Sequence, residues 1–257
     1  MNIVGSIRVL APALAWMIAA VAWSCPASPE PVEKRFENNA WQFVWELKEA
    51  PTWLGVESAP IPASLLEYRD YANGQTDTDP FVLLARQRAV FEKAYGIDDP
   101  SLEAFRLIER REVGRIANSS CLELMLMAEH LKFHPLNVPG SEFSARIYRK
   151  QSQLKVFASF IEHESMSAPG VAISLAQRNE IQKNAWQFTT FLHNHPFSFQ
   201  NPYGDISGTV IPSDPDLVTF RSLFEAEGLQ AAWITNGIHS ARYQPTDTDR
   251  LLSTIGL

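Results

Sequence analysis

The stretch that decides the fold is Trp186-Gln187-Phe188-Thr189-Thr190-Phe191-Leu192, followed directly by His193-Asn194-His195-Pro196. An apolar, aromatic run of this length is typical of a buried strand, and the two histidines are expected just past its end. Residues two apart on a strand point to the same face. The imidazoles of His193 and His195 are therefore predicted to lie side by side and to bind one Zn²⁺ ion. Pro196 has no N–H to donate and is expected to end the strand.

A third metal ligand is predicted within Pro212-Ser213-Asp214-Pro215-Asp216. Zinc sites that perform chemistry take three protein ligands and leave one position for water. Ser213 is a good N-cap residue, and the pattern predicts a helix over Asp214–Glu227. Asp216, in the first turn of that helix, is the preferred third ligand. Asp205, in the segment between the histidines and the helix, is the alternative.

The region 138–257 carries alternating strand and helix signals. Glu142–Arg149 and Leu154–Ile161 have the alternation of a half-buried hairpin. Ser174 is expected to cap a helix that precedes the histidine strand. Two strands joined by a turn at Asn236-Gly237 and a short C-terminal helix complete the order ββ-α-β-α-β-β-α. The sequence therefore predicts an α+β fold, a mixed sheet flanked by helices.

The region 41–137 is predicted to be mainly helical, and residues 25–40, rich in Pro, Ser and Glu, are predicted to be a linker. Helices are expected over Phe81–Tyr95, from Ser101, and from the Asn118-Ser119-Ser120 cap to about residue 133. His130 and His134 have i,i+4 spacing, which is compatible with metal binding. Because no HExxH glutamate accompanies them, they are expected to lie at an exposed helix end. His163 and His239 are likewise expected at the surface.

Residues 1–24 contain one charged side chain, Arg8, and an apolar run over Val9–Trp23. The run is shorter than the roughly 20 residues of a membrane span and is typical of a secretory signal. The small residues before Cys25 are also those of a lipoprotein cleavage site. Cys25 is then either lipidated, which attaches the N-terminus to a membrane, or paired with Cys121 in a disulfide, which export permits. An exported location, periplasmic or membrane-anchored, is predicted.

The composition and net charge bear on whether the protein binds nucleic acid. The 257 residues are 46% apolar and 20% charged, as in ordinary globular proteins, and the formal net charge is −7. Nucleic-acid binding proteins gain affinity through basic surfaces that release counterions, and no basic cluster is present. Nucleic acid is therefore not expected as a partner. The oligomeric state and the substrate do not follow from the sequence.

The segment of residues 138–245 resembles the JAB/MPN metalloprotease superfamily, also called JAMM, in its bacterial form. The resemblance lies in an early strand glutamate (Glu142), in His193-Asn194-His195-Pro196, and in the Ser-x-x-Asp of Ser213 and Asp216. The motif His-Asn-His-Pro is similar to that of the DNA-repair-associated branch. The resemblance does not extend to residues 26–135, and the 21 residues from His195 to Asp216 exceed the family's usual spacing.

The resemblance implies a role for each motif residue. His193, His195 and Asp216 are implied as ligands of Zn²⁺, with water as the fourth ligand. Glu142 is implied as the general base for that water, and Ser213 as the donor to the oxyanion. These roles together imply a zinc-dependent hydrolase of peptide or isopeptide bonds.

Three alternatives remain open at this point. Glu162 and Glu164, at the end of the second predicted strand, are rivals of Glu142 for the role of base. The chain could be a binding or toxin-associated module that keeps the fold without turnover. It could also be a cytoplasmic domain linked to DNA processing, which the acidic charge and the apolar N-terminus oppose.

Overall fold

A single mixed sheet of eight strands runs through the described part of the chain. The computed structural model describes residues 25–55, 65–75, 79–99, 101–135, 140–163, 167–197 and 208–256. The strands are β1 (Glu33–Glu37), β2 (Ala40–Leu47), β3 (Arg115–Asn118), β4 (Phe143–Lys150), β5 (Gln153–Phe160), β6 (Gln187–Asn194), β7 (Ala231–Thr235) and β8 (His239–Tyr243). Their order across the sheet is β1-β2-β5-β4-β6-β7-β8-β3. The predicted α+β class with a mixed sheet is confirmed.

Eight helices flank this sheet within the described residues. They are α1 (Ala50–Leu54), α2 (Leu66–Gln75), α3 (Pro80–Tyr95), α4 (Ser101–Glu109), α5 (Cys121–Phe133), α6 (Leu175–Lys183), α7 (Asp214–Glu227) and α8 (Pro245–Thr254). The predicted N-caps Ser120, Ser174 and Ser213 each begin a helix, because each side chain accepts a hydrogen bond from the N–H three residues on. The helices predicted at the positions of α3 to α8 are confirmed.

The centre of the sheet places the histidine strand beside the predicted hairpin. Strands β4 and β5 are antiparallel neighbours, and β6 pairs antiparallel with the other edge of β4. In this register His193 lies opposite Ser144. Strand β7 pairs parallel with β6, and α7 forms the crossover between them. The end of β6 is therefore brought close to the start of both β4 and α7.

The predicted linker over residues 25–40 is wrong in part, because it contains strand β1 and leads into β2. Strand β2 pairs with β5, and β3 pairs with β8, so the sheet crosses the boundary predicted between residues 137 and 138. The described residues of the range 41–137 contain five helices, of which three were predicted, and they also supply two strands to the shared sheet. The Pro, Ser and Glu content suggested a linker, whereas the aromatic run in β2 fits a buried sheet position.

Hydrophobic side chains are buried on both faces of the sheet. One cluster contains Phe43 and Trp45 of β2 together with α5. The other contains Val44, from between them in sequence, together with α4, α7 and α8. Side chains of a strand alternate between faces, so β2 contributes to both cores. Burial of each such large apolar side chain stabilises the fold by about 1.5–3 kcal/mol.

Three of the four histidines that were expected at the surface are buried. His130 and His134, at the C-terminal end of α5, are 2% and 3% exposed, and their rings stack with centroids 4.9 Å apart. His239 is 2% exposed within β8. The prediction was wrong because helix position alone does not show what packs on the helix end. His163 is exposed, as expected.

Cys25 and Cys121 form a disulfide, with their Cα atoms 5.3 Å apart. It ties the start of the described chain to the first residue of α5. Of the two fates predicted for Cys25, the structure therefore shows disulfide pairing. The predicted signal segment 1–24 lies outside the described residues. Within the described ranges, no helix has both the length and the apolar character needed to cross a membrane.

Candidate metal centre

The two histidines of the motif lie at the end of β6 with their ring nitrogens facing each other. His193 is the next-to-last residue of the strand rather than just past its end, and His195 follows the last residue. The N–H of His195 still donates to the carbonyl of Thr235 at 2.9 Å, which extends the pairing with β7. Nε2 of His193 and Nε2 of His195 are 3.1 Å apart. The predicted side-by-side arrangement of the imidazoles is confirmed.

The carboxylate of Asp216 completes a triangle with the two imidazoles. Oδ1 of Asp216 is 3.3 Å from Nε2 of His193, and Oδ2 is 3.4 Å from Nε2 of His195. Ligands about 2.0–2.1 Å from a tetrahedral zinc ion lie about 3.3 Å from each other. The three donor atoms therefore have the spacing of three ligands of one tetrahedral ion. In the described part of the chain, these residues are the one cluster of His, Cys, Asp and Glu that could hold a metal.

Asp216 is held in place by the capping box at the start of α7. The N–H and the hydroxyl of Ser213 donate to Oδ2 of Asp216 at 2.8 and 2.7 Å. The N–H of Asp216 donates back to the Ser213 hydroxyl at 3.4 Å. A Ser-x-x-Asp sequence thus orients its own carboxylate at a helix N-terminus, where negative charge is stabilised. The three-residue spacing of Ser213 and Asp216 is therefore the spacing that a helix capping box requires.

The orientation of His195 is fixed by a backbone carbonyl. Nδ1 of His195 lies 3.0 Å from the carbonyl oxygen of Thr209, so Nδ1 carries the proton and Nε2 offers its lone pair. The segment that carries Thr209 is itself anchored. The side-chain amide of Asn236 donates to the Gly208 carbonyl at 2.8 Å, and the Tyr243 hydroxyl donates to the Val210 carbonyl at 2.7 Å.

Burial decreases from one ligand to the next. The side chain of His193 is 1% exposed, that of His195 14%, and that of Asp216 19%. Nδ1 of His193 has no hydrogen-bond partner among the described residues, and the ring packs on Phe220 with centroids 5.7 Å apart. His193 is therefore the most deeply buried member of the triangle, and His195 and Asp216 are its more exposed members.

The charges of the three groups are coupled. Burial lowers the pKa of His193 and outweighs the contact with Asp216. Burial also lowers that of His195, but Asp216 and Glu142 oppose it, and the net pKa is raised. Burial alone would raise the pKa of Asp216, yet hydrogen bonds with the two imidazoles hold this pKa well below its usual range. Asp216 is accordingly ionised at neutral pH, the form in which a carboxylate binds a metal.

Glu142 lies immediately before β4 and is held from both sides by Asn194. The side-chain oxygen of Asn194 accepts from the N–H of Phe143 at 2.5 Å, and its amide donates to the carbonyl of Ser141 at 3.2 Å. Asn194 is fully buried. The residue between the two histidines thus fixes the backbone on either side of the glutamate. The sequence interpretation missed this role, although a polar residue in a buried strand between two candidate ligands was a signal for it.

The carboxylate of Glu142 titrates near neutrality. Burial raises its pKa to about 7, the charge of His195 lowers it, and the charge of Asp216 raises it. The N–H of Ala168 donates to the same carboxylate. The carboxylate of Glu142 is therefore electrostatically coupled to His195 and Asp216, two members of the triangle. A carboxyl group with such a pKa can both accept and release a proton at pH 7.

The remaining predicted site residues have different outcomes. The hydroxyl of Ser213 donates to Asp216, so in this structure it supports a ligand rather than facing open space. The carboxylate of Glu162, a rival for the role of base, accepts from Nε1 of Trp41 and has no link to the triangle. Asp205 and Glu164 lie outside the described residues.

A cavity of about 470 Å³ lies beside the loop that contacts Glu142. Its walls include residues 169–172, His163, and Asn38 and Asn39 of the β1–β2 turn. The same loop supplies the Ala168 N–H that binds the glutamate. Its volume lies within the range of roughly 300–1,000 Å³ that is common for ligand pockets.

Comparison of the chain with protein-family models, with curated proteins and with solved structures finds no match. What the centre can do must therefore be argued from its own residues. Two neutral imidazoles and one carboxylate form a donor set suited to Zn²⁺, and three protein ligands leave a coordination position open. With a carboxyl group of pKa about 7 alongside, the arrangement has the components of metal-assisted hydrolysis.

Proposed function

We propose that this chain is a zinc-dependent hydrolase of peptide or isopeptide bonds, of the JAB/MPN (JAMM) type that its motifs resemble. The observation that carries the proposal is the donor triangle, with edges of 3.1, 3.3 and 3.4 Å. This triangle fits three ligands of one zinc ion, and the helix cap and the Thr209 carbonyl orient two of its members in advance. His193, His195 and Asp216 would hold the metal.

Glu142 would move the proton in this reaction. Zinc in such a site lowers the pKa of water toward about 7 and polarises the scissile carbonyl. With its own pKa near 7, Glu142 would take a proton from the attacking water and pass it to the leaving amine. Asn194 would hold Glu142 in place for both transfers. Ser213 would keep Asp216 oriented, and its hydroxyl would donate to the oxyanion only after leaving Asp216.

The substrate would be a peptide or a protein outside the cytoplasm. This follows from the proposed export signal, and the Cys25–Cys121 disulfide supports it, because structural disulfides persist in oxidising compartments. The cavity lined by residues 169–172, in the loop that contacts Glu142, would receive a substrate side chain. In an exported enzyme, cell-wall peptides and secreted proteins are better candidates than ubiquitin-like conjugates. Cell fractionation tests the location, and recovery in the cytoplasm would favour the DNA-processing alternative.

The first experiment is a metal analysis of the purified chain beside His195→Ala. We expect about one zinc per wild-type chain. The variant should lose the zinc, because only two of the three protein ligands that such a site needs would remain. His163→Ala, which removes an exposed histidine, is the matched control and should retain the metal. A folded wild type that binds no metal would contradict the proposal.

The role of Glu142 needs a separate measurement. Glu142→Gln keeps the size of the side chain and removes the base, so zinc content should be unchanged while peptide hydrolysis is lost by a factor of at least about 10². Glu162→Gln is the control and should keep the activity, because the carboxylate of Glu162 accepts a hydrogen bond from Trp41 and has no part in the proposed reaction. If both variants hydrolyse as the wild type does, Glu142 is not the base.

A second candidate function, a binding module without turnover, has one observation in its favour. The capping box accounts for the position of Asp216 without a metal, and it occupies the Ser213 hydroxyl. In this case the chain would bind zinc but hydrolyse no peptide. Glu142→Gln would then change neither the zinc content nor the hydrolysis, which is absent in the wild type as well. Zinc content together with the Glu142→Gln assay therefore separates the two functions.

A further inference from the structure

A second cavity, of about 410 Å³, lies between the β7–β8 hairpin, the loop before β3 and the start of α8. Its walls share no residue with the metal triangle. Three arginines, Arg111, Arg115 and Arg242, line it together with Trp233. Arg115 and Arg242 are direct neighbours across the β3–β8 pair. Two like charges opposite each other in a sheet repel, so this pairing needs a compensating interaction.

Arg242 is the central donor of this cavity. Its guanidinium lies over the ring of Trp233, 3.9 Å from the centroid. Nε and Nη2 of Arg242 and Nε1 of Trp233 are buried and have no hydrogen-bond partner within the described ranges. In the same ranges neither Arg115 nor Arg242 forms an ion pair. Three donors on two residues of the cavity wall thus lack an acceptor.

The acidic residues of the cavity wall do not supply that acceptor. Glu112 binds Arg110 and Arg250, which lie outside the cavity lining. Oδ2 of Asp247 accepts from the N–H of Gln244 in the cap of α8, at 2.9 Å. Glu112 is therefore paired with arginines outside the cavity, and the wall presents three arginines beside one further carboxylate, that of Asp247.

A buried guanidinium nitrogen without a partner is costly, because it loses water without gaining an acceptor. Burial lowers the pKa of Arg242, the carboxylate of Glu123 raises it, and the charge of Arg115 lowers it. Glu123 is fully buried and its Oε1 also has no partner among the described residues. A water molecule between Glu123 and Arg242 could satisfy one donor, but it would leave the repulsion with Arg115 in place.

We propose that this cavity is a binding site for an oxyanion, the carboxylate or phosphate group of a small organic molecule, held by Arg242 and Arg115 above Trp233. Arginine matches the planar, multiple acceptors of both groups. The cavity volume is in the range of small-molecule sites, so it has room for more than the anionic group. The proposal is independent of the metal centre and of the proposed hydrolase activity.

Titration of the ¹⁵N-labelled full chain tests this site. Inorganic phosphate is added in one arm and acetate in the other, each at constant ionic strength set with chloride. The readout is the indole N–H signal of Trp233, assigned with Trp233→Phe. We expect a saturable shift in at least one arm, and the arm that responds identifies the group that binds.

Two variants distinguish specific anion binding in this cavity from the general attraction of anions to positive charge. Arg115→Gln should raise Kd roughly tenfold, because a charge-assisted hydrogen bond is lost. This residue is exposed on an edge strand, so the variant should fold even if Arg242→Gln does not. Arg149→Gln, at the exposed β4–β5 turn, is the matched control and should leave Kd unchanged. No saturable shift in either arm, or equal Kd values for Arg115→Gln and wild type, would overturn the proposal and leave a trapped water as the partner of Arg242.

Discussion

At the scale of single residues, Asn194 and Thr209 help to position the candidate metal centre although neither is a ligand. Asn194 holds the backbone on both sides of Glu142, and the carbonyl of Thr209 selects the tautomer of His195. Both act through hydrogen bonds to neighbouring groups rather than by contact with a metal. Such partners commonly tune the affinity and the orientation of metal ligands. The proposed chemistry therefore depends on two residues that are not themselves metal ligands.

The buried His130 predicts acid sensitivity of the fold. The pKa of His130 is lowered from 6.5 to about 3, chiefly by burial and also by the charge of His134, while a hydrogen bond with the backbone of Ser141 opposes the change. Between these pH values the unfolded chain binds a proton that the folded chain does not. Stability should thus fall as the pH decreases through this window, by at most about 1.4 kcal/mol per pH unit.

Urea unfolding of the metal-free protein between pH 7 and pH 4 checks this prediction. His130→Phe removes the titrating group and fits beside the rings of Phe143 and Phe160, so its stability should depend less on pH. Substitution of the exposed His163 by Phe is the control. An equal pH dependence in wild type and His130→Phe would assign the acid sensitivity to other groups.

At the scale of elements, the start of α7 links helix stability to the metal centre. Ser213→Ala removes the hydroxyl that accepts from and donates to Asp216. Loss of an N-cap serine should cost about 1 kcal/mol of stability, and the less well oriented carboxylate should also bind zinc more weakly. Chemical unfolding and a zinc competition assay measure the two effects.

The chain offers a matched control in α6. Ser174 forms the same kind of capping box with Gln177, away from the metal triangle. Ser174→Ala should lose a similar amount of stability with no change in zinc affinity. If Ser213→Ala and Ser174→Ala weaken zinc binding equally, the cap of α7 does not position Asp216.

At the scale of the whole molecule, the sheet joins the N-terminal strands to the region that carries the metal centre. Strand β2 covers the edge of β5, and Phe43 of β2 packs edge-on against Phe160 of β5 with ring centroids 5.4 Å apart. A fragment of residues 138–257 loses β1, β2 and β3 and exposes the apolar edge of β5. Such a fragment is expected to aggregate or to unfold without cooperativity. Thermal unfolding beside residues 25–257 checks this, and a soluble, cooperative fragment with bound zinc would contradict it.

The disulfide provides a second test at this scale. It closes a loop between residues 96 apart in sequence, one end being the first residue of α5. Replacement of Cys25 and Cys121 together by Ala should lower the free energy of unfolding by about 2–5 kcal/mol. The reductant dithiothreitol should destabilise the wild type and leave the double variant unaffected. Two free thiols per chain in the protein purified under oxidising conditions would contradict the pairing.

The sequence by itself determined the central hairpin, the helix caps and the three donors of the triangle, because each depends on short-range patterns. Alternation within β4 and β5, and a serine before α6 and before α7, specify local conformation through periodicity and capping. The His-Asn-His-Pro and Ser-x-x-Asp motifs indicated the same side chains that the structure brings within 3.4 Å of one another.

Only the tertiary structure decided which distant segments share the sheet and which polar groups are buried. The pairing of β2 with β5 and of β3 with β8 joins residues more than 100 positions apart, and no local pattern encodes such a partner. The burial of His130, the clamp of Asn194 on Glu142 and the unpartnered donors of Arg242 arise from packing between elements. The physical reason is that a polar group loses its water only when residues from other elements pack around it, and those residues are distant in sequence.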